Sequence, residues 1–252
     1  MDSRTFPPDE EEDVLTKEST FELLYEGRTK KLFQIDRPDQ LVAEFKSIVN
    51  PDAKKKGKGK GSGALRNEIS SYLFEYLEGF HIPTHFVKQL SDTQMLVKRL
   101  EIIPIFVRVF NVATGLLAKR FDLREGTKLS FPVIEHYLKN PDATNPWINE
   151  FHVYSFRLAT PEELRLINRL ASKVNAVLRA LCERRDLLLA SLTMEFGRHK
   201  GQILVGDELT PETCVVWDVT NKQKPQRDIF RMDRSDAEDA LIELRNRLQR
   251  KS

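Results

Sequence analysis

The stretch from Leu187 to Glu208 constrains this chain more than any other. An apolar run, Leu187 to Ala190, leads into Met194-Glu195-Phe196-Gly197. A short glycine-bounded link follows, and a second apolar run ends in Gly206-Asp207-Glu208. Two apolar arms around such a link read as a β-hairpin. Each arm carries one acid, Glu195 or Asp207. Two carboxylates on facing strands make a hard-oxygen site suited to Mg²⁺, which takes few protein carboxylates and completes its shell with water and phosphate. Upstream, Glu26-Gly27-Arg28-Thr29-Lys30-Lys31 forms a second, basic hairpin. Together the two hairpins point to nucleoside-triphosphate chemistry.

The chain has 252 residues, enough for one domain or two joined lobes around a sizeable core. Charged residues make up 31% and hydrophobic ones 40%, an ordinary globular composition. A formal charge of +2 argues against a general nucleic-acid binder, which needs a marked basic excess. The two cysteines, Cys182 and Cys214, form neither a disulfide framework nor a metal motif. No apolar run reaches membrane-spanning length, and the N-terminus is acidic (Asp9 to Asp13) rather than signal-like. These features predict a cytoplasmic protein with no membrane or nucleic-acid partner.

Residues 1–20 are polar and read as a mobile acidic tail. Residues 21–103 read as an N-terminal nucleotide-binding lobe of mostly antiparallel strands. Residues 104–252 read as a larger α/β lobe carrying the metal and acceptor sites. Strands are expected at Leu23–Tyr25, Leu32–Ile35, Leu41–Lys46, Thr84–Leu90, Met95–Ile103 and Ile105–Val112. Residues 54–63, rich in lysine and glycine, read as a loop. Asn67–Glu78, Leu116–Arg120 and Pro161–Glu183 read as helices, the last with Thr160 at the N-cap, Pro161 at N1 and Glu163 at N3. Arg231-Met232-Asp233 then leads to a final helix at Asp236–Arg250.

The chain resembles the SAICAR synthetase family from Leu24 to Arg231. The resemblance rests on Tyr25 to Lys31, Gly63-Ala64-Leu65-Arg66-Asn67-Glu68-Ile69, Ile82-Pro83-Thr84-His85-Phe86 and Leu96-Val97-Lys98-Arg99-Leu100. It continues through Leu117-Ala118-Lys119-Arg120, Leu138-Lys139-Asn140, Ile148-Asn149-Glu150, Met194 to Gly197 and Gly206 to Glu208. The resemblance implies an α+β, two-lobed SAICAR synthetase-like fold related to kinases and ATP-grasp proteins. It implies ATP and Mg²⁺ as cofactors, and small-molecule substrates: ATP, a carboxylate acceptor and an amino acid. The family phosphorylates the carboxylate of carboxyaminoimidazole ribotide and couples it to the amine of L-aspartate, in purine biosynthesis. A homo-oligomer stays open.

By the same resemblance, Arg28 and Lys30 face the ATP phosphates, adenine meets the backbone of Lys98, Arg99 and Leu100, and Glu195 and Asp207 face the metal and the nucleotide. Lys30, Glu195 and Asp207 are the expected catalytic set. The acceptor positions fall on Phe110, Asn111, Gly115, Leu116, Lys119, Arg120 and Val215. Three of them depart from the family: Phe110 and Val215 stand where it has arginine, and Leu116 where it has serine. Ser191 and Thr193 likewise replace an acid and a lysine. Strand alternation puts Arg108 on the face of Phe106 and Phe110, about 7 Å from the missing arginine, so Arg108 joins the acceptor set. Two other readings stand beside the family reaction. One is the same ligase chemistry on a less anionic acceptor in a secondary pathway. The other is an ATP-binding, catalytically inactive paralogue.

Overall fold

A computed structural model describes residues 21–47, 61–140, 145–221, 230 and 237–250. The expected tail at 1–20, most of the lysine-glycine stretch and Arg231–Asp233 lie outside them. The first half forms β1 (Glu22–Glu26), β2 (Lys30–Gln34), β3 (Gln40–Phe45), helix α1 (Ser62–Glu78), β4 (Phe86–Gln89) and β5 (Gln94–Lys98). These strands make an antiparallel sheet in the order β1-β2-β3-β5-β4. Helix α1 covers one face with Leu65, Ile69, Leu73, Phe74 and Leu77. It starts five residues before the expected Asn67. Its Gly63 lies so close to β3 that a Cβ would meet the Phe45 carbonyl oxygen at 2.6 Å, so the glycine lets the helix begin there.

The second half forms β6 (Glu101–Val112), α2 (Gly115–Arg120), β7 (Lys128–Leu138), β8 (Trp147–Ile148), α3 (Glu150–Ser155), α4 (Pro161–Glu183), β9 (Leu187–His199), β10 (Gln202–Gly206), β11 (Cys214–Asp218) and α5 (Ala237–Leu248). The sheet order is β10-β9-β6-β7-β8, with β11 also paired to β9. Helix α4 buries Leu164, Ile167, Ala171, Val174, Leu178 and Leu181 at helical spacing against β9 and β6. Its cap is as expected: the Thr160 hydroxyl accepts from the Glu163 amide at 3.2 Å and the Glu163 carboxylate accepts from the Thr160 amide at 2.8 Å. Such a cap stabilises a helix by about 1 kcal/mol.

Where one strand was expected over Met95–Ile103, the structure has two, broken at Arg99-Leu100. There the chain leaves β3 and joins β9: the Arg99 amide donates to the Asp39 carbonyl at 2.8 Å, and the His199 Nδ1 lies 2.9 Å from the Arg99 carbonyl. Pro104 sits inside β6, in the irregular stretch between Ile102 and Phe106 where the β6–β9 register shifts. A proline has no ladder donor, and an irregularity is where a strand tolerates one. One hydrophobic core runs from Leu41 and Val97 of the first sheet through Ile103, Ile105 and Val107 to Leu241 and Leu244 of α5.

Candidate active site

Strand alternation gives the second sheet two different faces. Ile105, Val107 and Val109 of β6, with Leu192, Met194 and Phe196 of β9, turn to the core under α4. Phe106, Arg108 and Phe110 turn the other way, and the ladder sets each beside a β9 residue: Phe106 by Glu195, Arg108 by Thr193, Phe110 by Ser191. On the far side β7 sets Tyr137 by Phe106, Glu135 by Arg108 and Val133 by Phe110. The outer face is thus a row of three chemically distinct bands, about 7 Å apart.

The first band faces a cleft of about 660 Å³ between the two sheets. Glu195 lies directly across from Gly206, so Asp207 follows one residue beyond on the adjacent strand. Asp207 has a left-handed backbone, φ 66°, a conformation that aspartate tolerates better than most residues. Lys30 reaches over from β2, is 8% exposed, and bonds both Asp207 and Glu208, the latter at 3.0 Å. Thr29 donates to the same Glu208 carboxylate at 2.9 Å. Lys139 pairs with Glu195 at 2.6 Å. Burial works against the Lys30 charge, but Asp207 and Glu208 outweigh it and hold its pKa above the ordinary lysine value. Burial and then the Asp207 charge push Glu195 up, with Lys139 opposing. Asp207 goes down despite its burial, because Lys30 lies beside it. Burial, then Lys30, pushes His85 down to about 3, so its ring is neutral.

Two repelling carboxylates on adjacent strands fit a hard dication. Among the described residues there is no group of three or more His, Cys, Asp or Glu that could hold a metal. Of the expected nucleotide-facing residues, Arg28, Lys30, Lys98 and Leu100 line the cleft with the two acids. Leu100 also wedges against β9 and β10: a Cβ on Gly197 or Gly206 would meet its side chain at 2.7 Å. The Arg99 side chain does not line the cleft. Its guanidinium is exposed and bonds Gln34 at 2.6 Å.

The acceptor positions divide. Phe110 is 2% exposed and packs into the sheet. Asn111 lies on the opposite face and exchanges side-chain bonds with Asn175 of α4 at 2.8 and 2.9 Å, so it ties helix to sheet rather than facing the cleft. Leu116, Lys119 and Arg120 line a separate shallow pocket with Tyr137, Asn145 and Trp147. Gly115 starts α2 with φ 54° and its amide donates to Glu125 at 3.1 Å. Val215 is 38% exposed, opposite Ser191.

The sequence profile of the SAICAR synthetase family matches residues 23–248. The chain belongs to the SAICAR synthetase family. It is 43% identical to a phosphoribosylaminoimidazole-succinocarboxamide synthase of Chloroherpeton thalassium over 90% of this chain and 97% of that protein. The corresponding enzyme of Ehrlichia chaffeensis superposes with a TM-score of 0.81 at 32% identity, covering 92% of this chain and all of that one. A SAICAR synthetase solved in complex with ADP superposes at 0.79 with 36% identity, covering 89% and 97%. Against the family pattern, three departures meet in the fold. Ser191 pairs with Phe110 on one side and Val215 on the other. The positions at which an arginine, an acid and a second arginine were expected therefore lie side by side across three strands, and all have lost their charge.

Two residues were missing from the expected set. Glu208 and Lys139 each sit within a quoted motif, yet only folding shows that one shares Lys30 and the other neutralises Glu195. No helix among the described residues is long and apolar enough to cross a membrane.

Proposed function

We propose that the protein is an ATP-dependent ligase that activates a carboxylate as an acyl phosphate and joins it to an amine. An oxygen of the acceptor carboxylate attacks the γ-phosphorus of ATP and ADP leaves. The amine nitrogen, L-aspartate in the family reaction, then attacks the acyl carbon. Inorganic phosphate leaves, and the nitrogen loses one proton to solvent. The family pair, carboxyaminoimidazole ribotide and L-aspartate, is the first to test.

The observation that carries this reading is the pairing of two close carboxylates, Glu195 buried and Asp207 half-buried, with two lysines in one cleft between the sheets. Magnesium, held by Glu195 and Asp207, would neutralise charge on the polyphosphate. Lys30 and Lys139 hold those acids in place and offset most of their charge, and Arg28 and Lys98 line the same cleft as further cations for a polyphosphate. Leu100 and Lys98, where the chain passes between sheets, bound the cleft on the nucleotide side. Catalysis then rests on positioning and charge neutralisation, since little covalent work falls to the protein. Release of ADP from MgATP, dependent on a carboxylate and an amine, tests the reading. Tight ATP binding without ADP release from any acid would leave an inactive nucleotide-binding relative.

A second reading changes the acceptor. The uncharged row Phe110, Ser191 and Val215 favours a less anionic molecule than the ribotide, because an apolar surface cannot desolvate a phosphate dianion without partners.

A further inference from the structure

Along the outer face of the second sheet, the middle band holds an unusual cation. Arg108 lies over two rings, 5.9 Å from the Phe110 centroid and 5.3 Å from that of Tyr137. Its Nε donates to the Thr193 hydroxyl at 2.9 Å. Among the described residues, no hydrogen bond or ion pair engages its two terminal nitrogens. The neighbouring cations are all matched. Arg120 bonds both oxygens of Glu135, at 2.8 and 3.2 Å, and Tyr137 at 3.1 Å. Lys139 holds Glu195 and Lys30 holds Asp207 and Glu208. Glu135 is the cross-strand neighbour of Arg108, yet its carboxylate goes to Arg120 and the Tyr137 hydroxyl.

The guanidinium therefore stands fixed, by one hydrogen bond and two ring faces, with a fork of donors left over. A fixed planar fork matches one planar carboxylate. It lies one register step, about 7 Å, along the strands from the Glu195 band where the reactive carboxylate must meet the nucleotide. One step further lie Phe110, Ser191 and Val215, which add no charge. A single unmatched cation beside a buried Glu135 does not balance a dianion.

We propose that Arg108 sets acceptor specificity, selecting a dicarboxylate with an uncharged body: one carboxylate is activated at the Glu195 end and the other is gripped by Arg108. The proposal rests on the ligase reading for which end reacts, but its binding prediction does not need turnover.

Calorimetry with the full chain, Mg²⁺ and a non-hydrolysable ATP analogue tests it. The probes are terephthalate, benzoate and carboxyaminoimidazole ribotide. Terephthalate binds the wild type about tenfold or more tighter than benzoate, the scale of one charge-assisted hydrogen-bonded pair, and tighter than the ribotide. Arg108→Ala abolishes the terephthalate–benzoate difference and leaves nucleotide affinity unchanged. Arg108→Lys restores part of it, because an ammonium keeps the charge and loses the fork; it also serves if the alanine variant folds poorly. Equal binding of the two benzene acids, no binding of any acid, a preference for the ribotide, or an unchanged difference in Arg108→Ala would each overturn the proposal. ADP release is measured in parallel. Its absence with the terephthalate preference intact overturns the ligase reading and leaves Arg108 as the anchor.

Discussion

Glu195 and Ser191 sit on the same face of β9, four residues apart, in opposite surroundings. At the Glu195 end five charged side chains meet: Lys139 pairs with Glu195, and Lys30 is shared by Asp207 and Glu208. Around Ser191 the neighbours are Phe110 and Val215. Both residues are nearly buried, so burial does not separate them. Their cross-strand partners do. One continuous strand thus presents a charge-dense end and an uncharged end. The two ends can change independently.

The comparison breaks most easily at Lys30. Lys30→Met leaves Asp207 and Glu208 close together without their cation. Removing one partner from a buried ionic cluster costs about 3–5 kcal/mol. The expected result is a large fall in the denaturant midpoint in the absence of nucleotide, together with weaker ATP binding by calorimetry. A variant as stable as wild type, with unchanged ATP affinity, would mean that the charge-dense end is not a working unit.

The other end should tolerate what the first cannot. Val215 is 38% exposed, so the charge in Val215→Arg can stay in water and stability should move by about 0.5 kcal/mol or less. The same change should tighten binding of the anionic ribotide about tenfold, the scale of one added charge-assisted hydrogen bond. Titrating the ribotide against both proteins checks this. No gain in affinity would place the ribotide anion elsewhere and remove the Ser191 end from the acceptor site.

Much of the charge-dense end was legible before folding. The glycine-bounded link and the two apolar arms fixed the hairpin, and with it the nearness of Glu195 and Asp207. Helix α4 was equally clear, because its capping signals and apolar spacing agree over six turns. Strand β7 was not assigned: Pro132 interrupts Lys128–Leu138, and a proline inside an apolar run usually argues against a strand. Lys139 follows directly on β7, so its approach to Glu195 was hidden with the strand. The side chains of Arg99 and Asn111 lie away from the cleft for one local reason. A motif fixes where the backbone passes, but a side chain leaves by whichever face it occupies, and both occupy a face turned from the cleft. Phe110, Ser191 and Val215 could each be read as changed, but only the register of β6, β9 and β11 shows that Ser191 lies between the other two.

A third point on β9 sets the scale for weak coupling. Beyond the cleft, Arg198 bonds Glu163 of α4 at 2.6 and 2.9 Å and Glu101 of β6 at 2.8 Å. Arg198 and the Thr160 cap hold Glu163 below the ordinary glutamate range, against its desolvation. A carboxyl with a depressed folded-state pKa contributes stability that is fully present above its unfolded value, near 4.5, and is lost as pH falls through the folded value. Glu163→Gln should therefore be less stable than wild type at neutral pH, and the gap should close on acidification below about pH 4.5. The pair is partly in water, so the neutral-pH gap should be only about 0.5–1 kcal/mol. Denaturant midpoints of both proteins between neutral and acid pH check the sign and the size. A gap as large as that of Lys30→Met would show that the anchor on α4 matters as much as the buried cluster. The contrast along β9 would then lie between ionic and apolar contacts wherever they sit, rather than between a buried charged end and the rest.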